Sequence, residues 1–261
     1  MNESLKVTHD AEIACVGLNR PQAYNAIDQD LVNRLAAELM ALASDPEVRG
    51  VVITGYGKAF CAGGDLKFFL GFPGGPVPAI HQTAGYFHQA IIEIRRMPKP
   101  VIAAVNGVAA GGGFSLALAC DFRIMGESAV LKQGYASVGL SLDGGSSFTL
   151  PRMVGLARAL EIVAFDQPIS ARQALRWGLA TKIAPDDRVV EEAMNMAHEL
   201  ARISLNAFGW AKRLLTDSFD HAFEAHIEQE RLGIASCMAH PDGQEGLWAF
   251  VEKRKPVFGN R

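Results

Sequence analysis

Two glycine-rich segments contain the residues of this sequence that are best suited to hold a reacting oxygen atom. They run over Lys58–Leu66 (KAFCAGGDL) and Asn106–Ser115 (NGVAAGGGFS), and each leads toward a predicted helix. Glycine lets a ligand approach the backbone closely, and the first N–H groups of a helix have no intrahelical acceptor. Two such segments facing one point would form an oxyanion hole, in which backbone donors stabilise a developing negative charge.

Each segment taken alone is also typical of a tight turn between a strand and a helix, and that structural interpretation stays open. The glycines of the second segment do not fit the G-x-G-x-x-G spacing of a dinucleotide-binding turn. The histidines do not cluster at the spacing of metal ligands, so we expect no metal site.

Apolar runs predict the strands that position these segments. Arg49–Thr54 (RGVVIT) and Val101–Val105 (VIAAV) are continuous runs, typical of strands covered on both faces, and Asp121–Met125 indicates a third strand. Leu5–Val7 and Ile13–Leu18 predict an opening hairpin with its turn at His9, Asp10 and Ala11.

Helical patterns alternate with these strands, which implies an α/β fold. Asp28 can cap a helix with an apolar stripe at Leu31, Leu35, Leu39 and Leu42, and helices are also predicted over Ala79–Arg96 and Phe114–Ala119. The Pro/Gly-rich stretch Phe72–Pro78 is typical of a lid. Only helical patterns follow Asp186, so we divide the chain into an α/β core over residues 1–200 and a helical region over residues 201–261.

The composition excludes several classes of protein. Lys and Arg total 25 against 28 Asp and Glu, without a run of one sign, which argues against a nucleic-acid partner. No stretch approaches the roughly 18 uninterrupted apolar residues of a membrane helix, and the N-terminus lacks the pattern of a signal peptide. The four cysteines show no paired spacing. We therefore expect a soluble cytoplasmic protein.

The two glycine segments, in this order, resemble those of the enoyl-CoA hydratase/isomerase family, also called the crotonase superfamily. Asn19–Ala26 (NRPQAYNA) and Val138–Arg152 (VGLSLDGGSSFTLPR) extend the resemblance, as do Ile169–Leu179 and Asp242–Phe258 near the C-terminus. The resemblance implies a repeated ββα spiral core, a C-terminal helical trimerisation region, and a homotrimer or dimer of trimers. It also implies an acyl-CoA thioester substrate, with no cofactor other than the coenzyme A within that substrate.

By this resemblance, the oxyanion donors are the backbone N–H groups of Gly64 and Gly112. The residues expected to bind the substrate or its coenzyme A moiety are Ala23, Tyr24, Lys58, Ala62, Asp65, Leu66 and Tyr135. Lys58 and Lys67 are candidates for contact with the phosphates, although solvated surface lysines are an equally good interpretation.

The hydratases of the family use two glutamates to activate water, and both are missing from this chain. Ser115 and Tyr135 stand at their positions. Neutral hydroxyl groups are poor general bases near neutral pH, so we expect no ordinary hydration. The glutamate of the common mono-enoyl isomerases also falls on Tyr135, which makes that branch a poor match as well.

Asp143 (in GLSLDGG) is the remaining carboxylate, and family members that shift double bonds often carry an acid here. A carboxylate walled by apolar residues suits proton transfer at the α or γ carbon of a thioester. Without the resemblance, an aspartate beside Gly-Gly is more often a structural loop residue. Our leading hypothesis is isomerisation of an unsaturated acyl-CoA with Asp143 as acid and base.

Two alternatives remain. In 4-chlorobenzoyl-CoA dehalogenases an aspartate at this position attacks the aromatic ring and a histidine, here His88, activates water. Gly64 and Tyr135 depart from that branch, which carries bulky aromatic residues at both positions, and a lone histidine on an amphipathic helix is usually structural. The other alternative is a non-catalytic acyl-CoA-binding or RNA-binding relative, and the acidic balance argues against RNA.

Overall fold

The computed structural model describes residues 3–259. The predicted core (residues 1–200) and helical region (residues 201–261) therefore each include two terminal residues that lie outside the described chain. Its strands are β1 Leu5–Asp10, β2 Ile13–Leu18, β3 Gly50–Gly55, β4 Ala59–Cys61, β5 Val101–Val105, β6 Val108–Ala110, β7 Phe122–Gly126, β8 Val130–Lys132, β9 Ile169–Ser170 and β10 Lys182–Ala184. Its α-helices are α1 Gln29–Ser44, α2 Leu66–Gly71, α3 Pro76–Arg96, α4 Gly112–Ala119, α5 Ser146–Val154, α6 Leu156–Phe165, α7 Ala171–Arg176, α8 Val189–Leu200, α9 Leu205–Asp217, α10 Phe223–Ala239 and α11 Pro241–Val251.

The strands form two sheets that the chain visits in turn. The first has six strands in the order β1-β2-β3-β5-β7-β10, and the second has four in the order β4-β6-β8-β9. Along the chain, β3 is followed by β4, β5 by β6, and β7 by β8. Each of these strands of the first sheet thus leads to a strand of the second sheet and then to helices. This repeat is the predicted ββα spiral, and the α/β class is confirmed.

Alternating side chains of the central strands supply two apolar cores. Val51 and Ile53 of β3 pack with α1, α3 and α4 in the larger core. Val52 of the same strand and Ile102 of β5 point to the other face, where they pack with α8. Because both faces of the sheet are covered, the strands are apolar throughout, as the runs RGVVIT and VIAAV predict.

The structure differs from the predicted bounds at several places. Strand β1 continues to Asp10, so the hairpin turns at Ala11 and Glu12 rather than at His9 to Ala11, and Ala11 takes a left-handed φ of 48°. Helix α3 begins at Pro76, inside the stretch predicted as a lid, because proline is favoured in the first turn of a helix. Each predicted glycine segment contains a short strand, β4 in the first and β6 in the second.

The C-terminal part of the chain is helical, from α8 to α11. Among residues 3–259, no helix combines the length and the hydrophobicity that crossing a lipid bilayer requires.

Candidate active site

The two glycine segments, helix α3 and the chain between β8 and α5 enclose a cavity of about 180 Å³. Its wall is mostly apolar, with contributions from Ile27, Leu66, Phe69, Ile80, Phe87, Val138 and Leu140. The polar groups of the wall come from the glycine backbones, Thr83, Tyr135 and Asp143. A mostly apolar cavity with a few converging polar groups is typical of a small-molecule site.

Gly64 and Gly112 lie side by side in this wall. Gly112 is the first residue of α4, so its N–H has no acceptor within the helix. Gly64 forms a parallel bridge with Ile27, but its own N–H takes no part in the hydrogen bonds of that bridge. The Ile27 N–H donates to the Gly63 carbonyl, and the Asp65 N–H donates to the Ile27 carbonyl. Within the described residues, neither the Gly64 nor the Gly112 N–H donates to a turn or loop carbonyl, so both can hold an oxyanion.

Close packing explains why glycine is needed in these segments. A Cβ atom at Gly113 would collide with the carbonyl oxygen of Cys61, so only glycine lets α4 lie this close to β4. Gly111, which precedes α4, has a φ of 52°, in the left-handed region that favours glycine. The glycines therefore bring the first turn of α4 against the first segment.

Asp143 lies in the loop before α5 and lines the cavity with its side chain 35% exposed. Its backbone carbonyl accepts hydrogen bonds from the hydroxyl groups of Ser115, at 2.7 Å, and Ser146, at 2.9 Å. The next residue, Gly144, has a φ of 59°, and a Cβ atom there would collide with the ring of Phe87. Both features fix the loop, and with it the carboxylate, against α3 and α4.

Ser115 and Tyr135, which occupy the two positions of the missing glutamates, are linked to each other. The Ser115 Oγ and the Tyr135 hydroxyl lie 3.1 Å apart. Either hydroxyl group can be the donor in this bond, and the Ser115 Oγ also lies within hydrogen-bonding distance of the Asp143 and Gly111 carbonyl oxygens, at 2.7 and 3.3 Å. Burial raises the pKa of the Tyr135 phenol, and the Asp143 carboxylate adds to the increase, so the phenol stays protonated.

His88, on helix α3, contacts Asp143 directly. Its Nε2 atom lies 2.5 Å from Oδ1 of the carboxylate. The imidazole is 51% exposed and lies outside the cavity wall, whereas its neighbour Phe87 is buried and lines that wall. Thus the structure brings together the two residues that the dehalogenase alternative pairs, although 55 positions separate them in the chain.

The other predicted binding residues divide into two groups. Ala62, Leu66 and Tyr135 line the cavity. Tyr24 and Ala23 lie beside it, where the Ala62 N–H donates to the Tyr24 carbonyl at 3.0 Å. Tyr24 is 60% exposed and has a left-handed φ of 51°.

The charged members of the predicted set lie outside the cavity. The Asp65 carboxylate caps helix α2 through the Phe68 N–H and pairs with Arg20 at 3.0 Å, which gives it a structural role. Lys58 and Lys67 are exposed and do not belong to the cavity wall. Their predicted contact with coenzyme A stays a prediction.

Helix α3 contributes side chains that sequence reasoning did not place in the site. Ile80, Thr83 and Phe87 face the cavity at helical spacing. The amphipathic pattern over these residues was a usable signal for a buried face, but it does not say whether that face meets a core or a ligand.

Comparison with known proteins agrees with this geometry. The profile described as enoyl-CoA hydratase/isomerase matches residues 8–261. A Rhizobium meliloti (strain 1021) protein named "Probable enoyl-CoA hydratase" is 36% identical to this chain, with 99% of each chain covered. The 1,2-epoxyphenylacetyl-CoA isomerase of Escherichia coli (strain K12) is 33% identical, with 92% of each chain covered. The crystal structure of an enoyl-CoA hydratase from Polaromonas sp. JS666 has a TM-score of 0.91 at 37% identity, covering 97% of this chain and 98% of the other. This chain therefore belongs to the enoyl-CoA hydratase/isomerase family.

Proposed function

We propose that this enzyme shifts a double bond within an unsaturated acyl-CoA, with Asp143 as the acid and base. The observation that carries the proposal is that Asp143 is the one carboxylate in the described cavity wall, which also contains Gly64 and Gly112. The E. coli relative named 1,2-epoxyphenylacetyl-CoA isomerase supports an isomerase assignment, although other relatives are named hydratases.

In this reaction, the N–H groups of Gly64 and Gly112 donate to the thioester carbonyl oxygen. The Asp143 carboxylate removes a proton from the α or γ carbon, and the electron pair of the broken C–H bond moves toward the oxygen, giving a dienolate. Asp143, now a carboxylic acid, returns a proton at the other carbon, and the double bond reforms one position away. The apolar wall suits an acyl chain, and the two donors stabilise the charge that develops.

Hydration is a poorer fit to the same geometry. It requires a base that positions and activates a water molecule, and the two positions that hold such groups in the hydratases carry Ser115 and Tyr135. Their hydroxyl groups are neutral and engaged with each other and with the Asp143 carbonyl. They therefore support the loop that carries Asp143 instead of acting on water.

The test is a panel of 2-enoyl, 3-enoyl, dienoyl and 4-chlorobenzoyl coenzyme A thioesters, analysed by mass spectrometry and NMR. We expect wild type to move a double bond and Asp143→Asn to lose roughly 10²–10⁴-fold in rate, the typical contribution of a positioned acid or base. Asp187→Asn, at an exposed position far along the chain, is the matched control and should behave as wild type. Equal rates in Asp143→Asn and wild type would refute the role of Asp143.

A second candidate is hydrolytic dehalogenation, which the contact between His88 and Asp143 favours. In that reaction, Asp143 attacks a chlorinated ring carbon, chloride leaves, and water activated by His88 hydrolyses the resulting ester. Against it, the Nε2 atom of His88 is already occupied by the Asp143 carboxylate. Release of chloride from the aryl thioester, with ¹⁸O from labelled water appearing in Asp143 after turnover, would favour this candidate over isomerisation.

A further inference from the structure

The contact between His88 and Asp143 links a residue that lines the cavity to a residue that lies outside its wall. Asp143 lines the cavity, and its Oδ1 atom meets the Nε2 atom of His88 at 2.5 Å. The imidazole is half exposed and is absent from the described wall of the cavity. A bound acyl group would fill the cavity side of Asp143 and leave the imidazole on the solvent side. The structure thus gives the carboxylate a titratable neighbour that can exchange protons with water.

Nothing else among the described residues competes for this histidine. Asp143 is the one group that its side chain meets within hydrogen-bonding distance. The Asp143 backbone is held separately, by the hydroxyl groups of Ser115 and Ser146. His88 is therefore not needed to fix the loop, and its contact is with the reacting carboxylate itself.

We propose that His88 is a proton relay, through which the proton that Asp143 takes from the substrate exchanges with solvent before it is returned. This rests on the isomerase function proposed above and adds the path of its proton. Without the relay, Asp143 would carry the same hydrogen from one carbon to the other while the bound acyl group covers its cavity side. With it, the transferred hydrogen equilibrates with water.

The relay step is balanced. After removing the substrate proton, the Asp143 carboxylic acid passes that proton from Oδ1 to Nε2 of a neutral His88 whose own proton is on Nδ1, and His88 becomes an imidazolium. The half-exposed imidazolium then turns away from the carboxylate, exchanges its Nε2 proton with water and turns back. The same path in reverse restores the carboxylic acid, which protonates the second carbon. No oxidant, reductant or other reactant is needed.

The test compares deuterium uptake with double-bond migration in deuterated water. His88→Gln retains an N–H donor toward Asp143 but cannot relay a proton, and His88→Phe removes both functions. We expect deuterium per migrated double bond to fall about tenfold or more in both variants, since a positioned proton carrier typically contributes roughly 10²–10⁴-fold. The migration rate of His88→Gln should stay within about tenfold of wild type, the range of one hydrogen bond.

His81→Phe is the matched control, because His81 is exposed on the same helix and does not line the cavity. It should take up as much deuterium as wild type. A structural role of His88 would lower migration and deuterium uptake together and leave their ratio unchanged. That result, or a wild-type ratio in His88→Gln, overturns the relay.

The outcomes also separate this proposal from the function on which it rests. Migration without deuterium uptake in wild type would leave the isomerase assignment standing and refute the relay. If no thioester of the panel is isomerised, the assignment fails, and the relay is judged on exchange of the α-hydrogens of butanoyl-CoA, which requires only an enolate. Exchange that depends on His88 would then support the relay, and absence of exchange in wild type would overturn it.

Discussion

At the residue scale, the hydroxyl groups of Ser115 and Tyr135 form a chain that ends on the Asp143 carbonyl. We expect Ser115→Ala and Tyr135→Phe each to lower kcat by about 2–12-fold with little change in KM, which corresponds to a hydrogen bond of about 0.5–1.5 kcal/mol. Because both act through one chain, the double variant should lose little more than the worse single variant. Steady-state kinetics on the four proteins checks this, and additive losses would mean that the two hydroxyl groups act independently.

Two substitutions at Gly64 separate the loss of its N–H donor from the crowding of its neighbours. A Cβ atom at Gly64 would lie 2.7 Å from the Phe69 ring, so any substitution displaces that ring. Gly64→Ala introduces this clash and keeps the N–H, whereas Gly64→Pro also removes the donor. We expect Gly64→Pro to lose roughly 10²–10³-fold more in kcat than Gly64→Ala, the typical contribution of an oxyanion donor. Equal losses in two folded variants, judged by circular dichroism, would assign the effect to packing alone.

Several residues that the sequence singled out lie in the cavity wall, but the sequence could not show which side chains meet. Gly64, Gly112 and Asp143 were expected to share one site, and all three line the cavity. The contact of His88 with Asp143 depends on how the loop before α5 folds back onto α3, and left-handed glycines such as Gly144 determine that path. Such turns have no periodic signal in the sequence.

At the element scale, the sequence showed β1, β2, β3, β5 and β7 of the first sheet, whereas β10 and the strands of the second sheet were missed. Strands β3 and β5 are long apolar runs, whereas β4, β6 and β8 have three residues each. Three residues are too few to show an alternation, and β4 and β6 lie inside glycine-rich segments that read as turns. The ββα repeat therefore came from the family resemblance, and the paired sheets of the structure explain it.

A buried ion pair joins the helical region to the core. Lys212 on α9 contacts Asp121 at 2.7 Å and donates to the Ile94 carbonyl of α3, and the Asp121 carboxylate also accepts from the Val101 N–H. The side chains of Lys212 and Asp121 are 6% and 16% exposed. Burial lowers the pKa of Lys212 and raises that of Asp121, which shows how much each charge depends on its partner.

Removing one partner of the pair should therefore destabilise the fold more than neutralising both partners. We expect Lys212→Met to lower the free energy of unfolding by about 3–5 kcal/mol, because it leaves the Asp121 carboxylate buried and unpaired. The double variant Asp121→Asn/Lys212→Met should recover part of this loss, since asparagine can still accept the Val101 N–H. Urea denaturation of the three proteins measures the difference, and a double variant no more stable than Lys212→Met would argue against the pair.

At the scale of the whole molecule, large apolar side chains remain exposed on helices α9 to α11 and the turns between them. They include Leu215, Phe219, Phe223, Ile234 and Phe250, with exposures of 73%, 68%, 74%, 71% and 82%. Exposed apolar surface of this kind usually marks an interface. It fits the trimer, or dimer of trimers, that we expect from the sequence, with the helical region as its contact surface.

Replacing two of these side chains should therefore dissociate the assembly. We expect multi-angle light scattering to give three or six times the chain mass for wild type and a monomer mass for Ile234→Glu/Phe250→Glu, because a buried charge without a partner is strongly unfavourable at an interface. Met40→Glu, at a half-exposed apolar position on α1, is the matched control and should keep the wild-type mass. A monomeric wild type would refute the assembly, and an unchanged mass in the double variant would place the interface elsewhere on the chain.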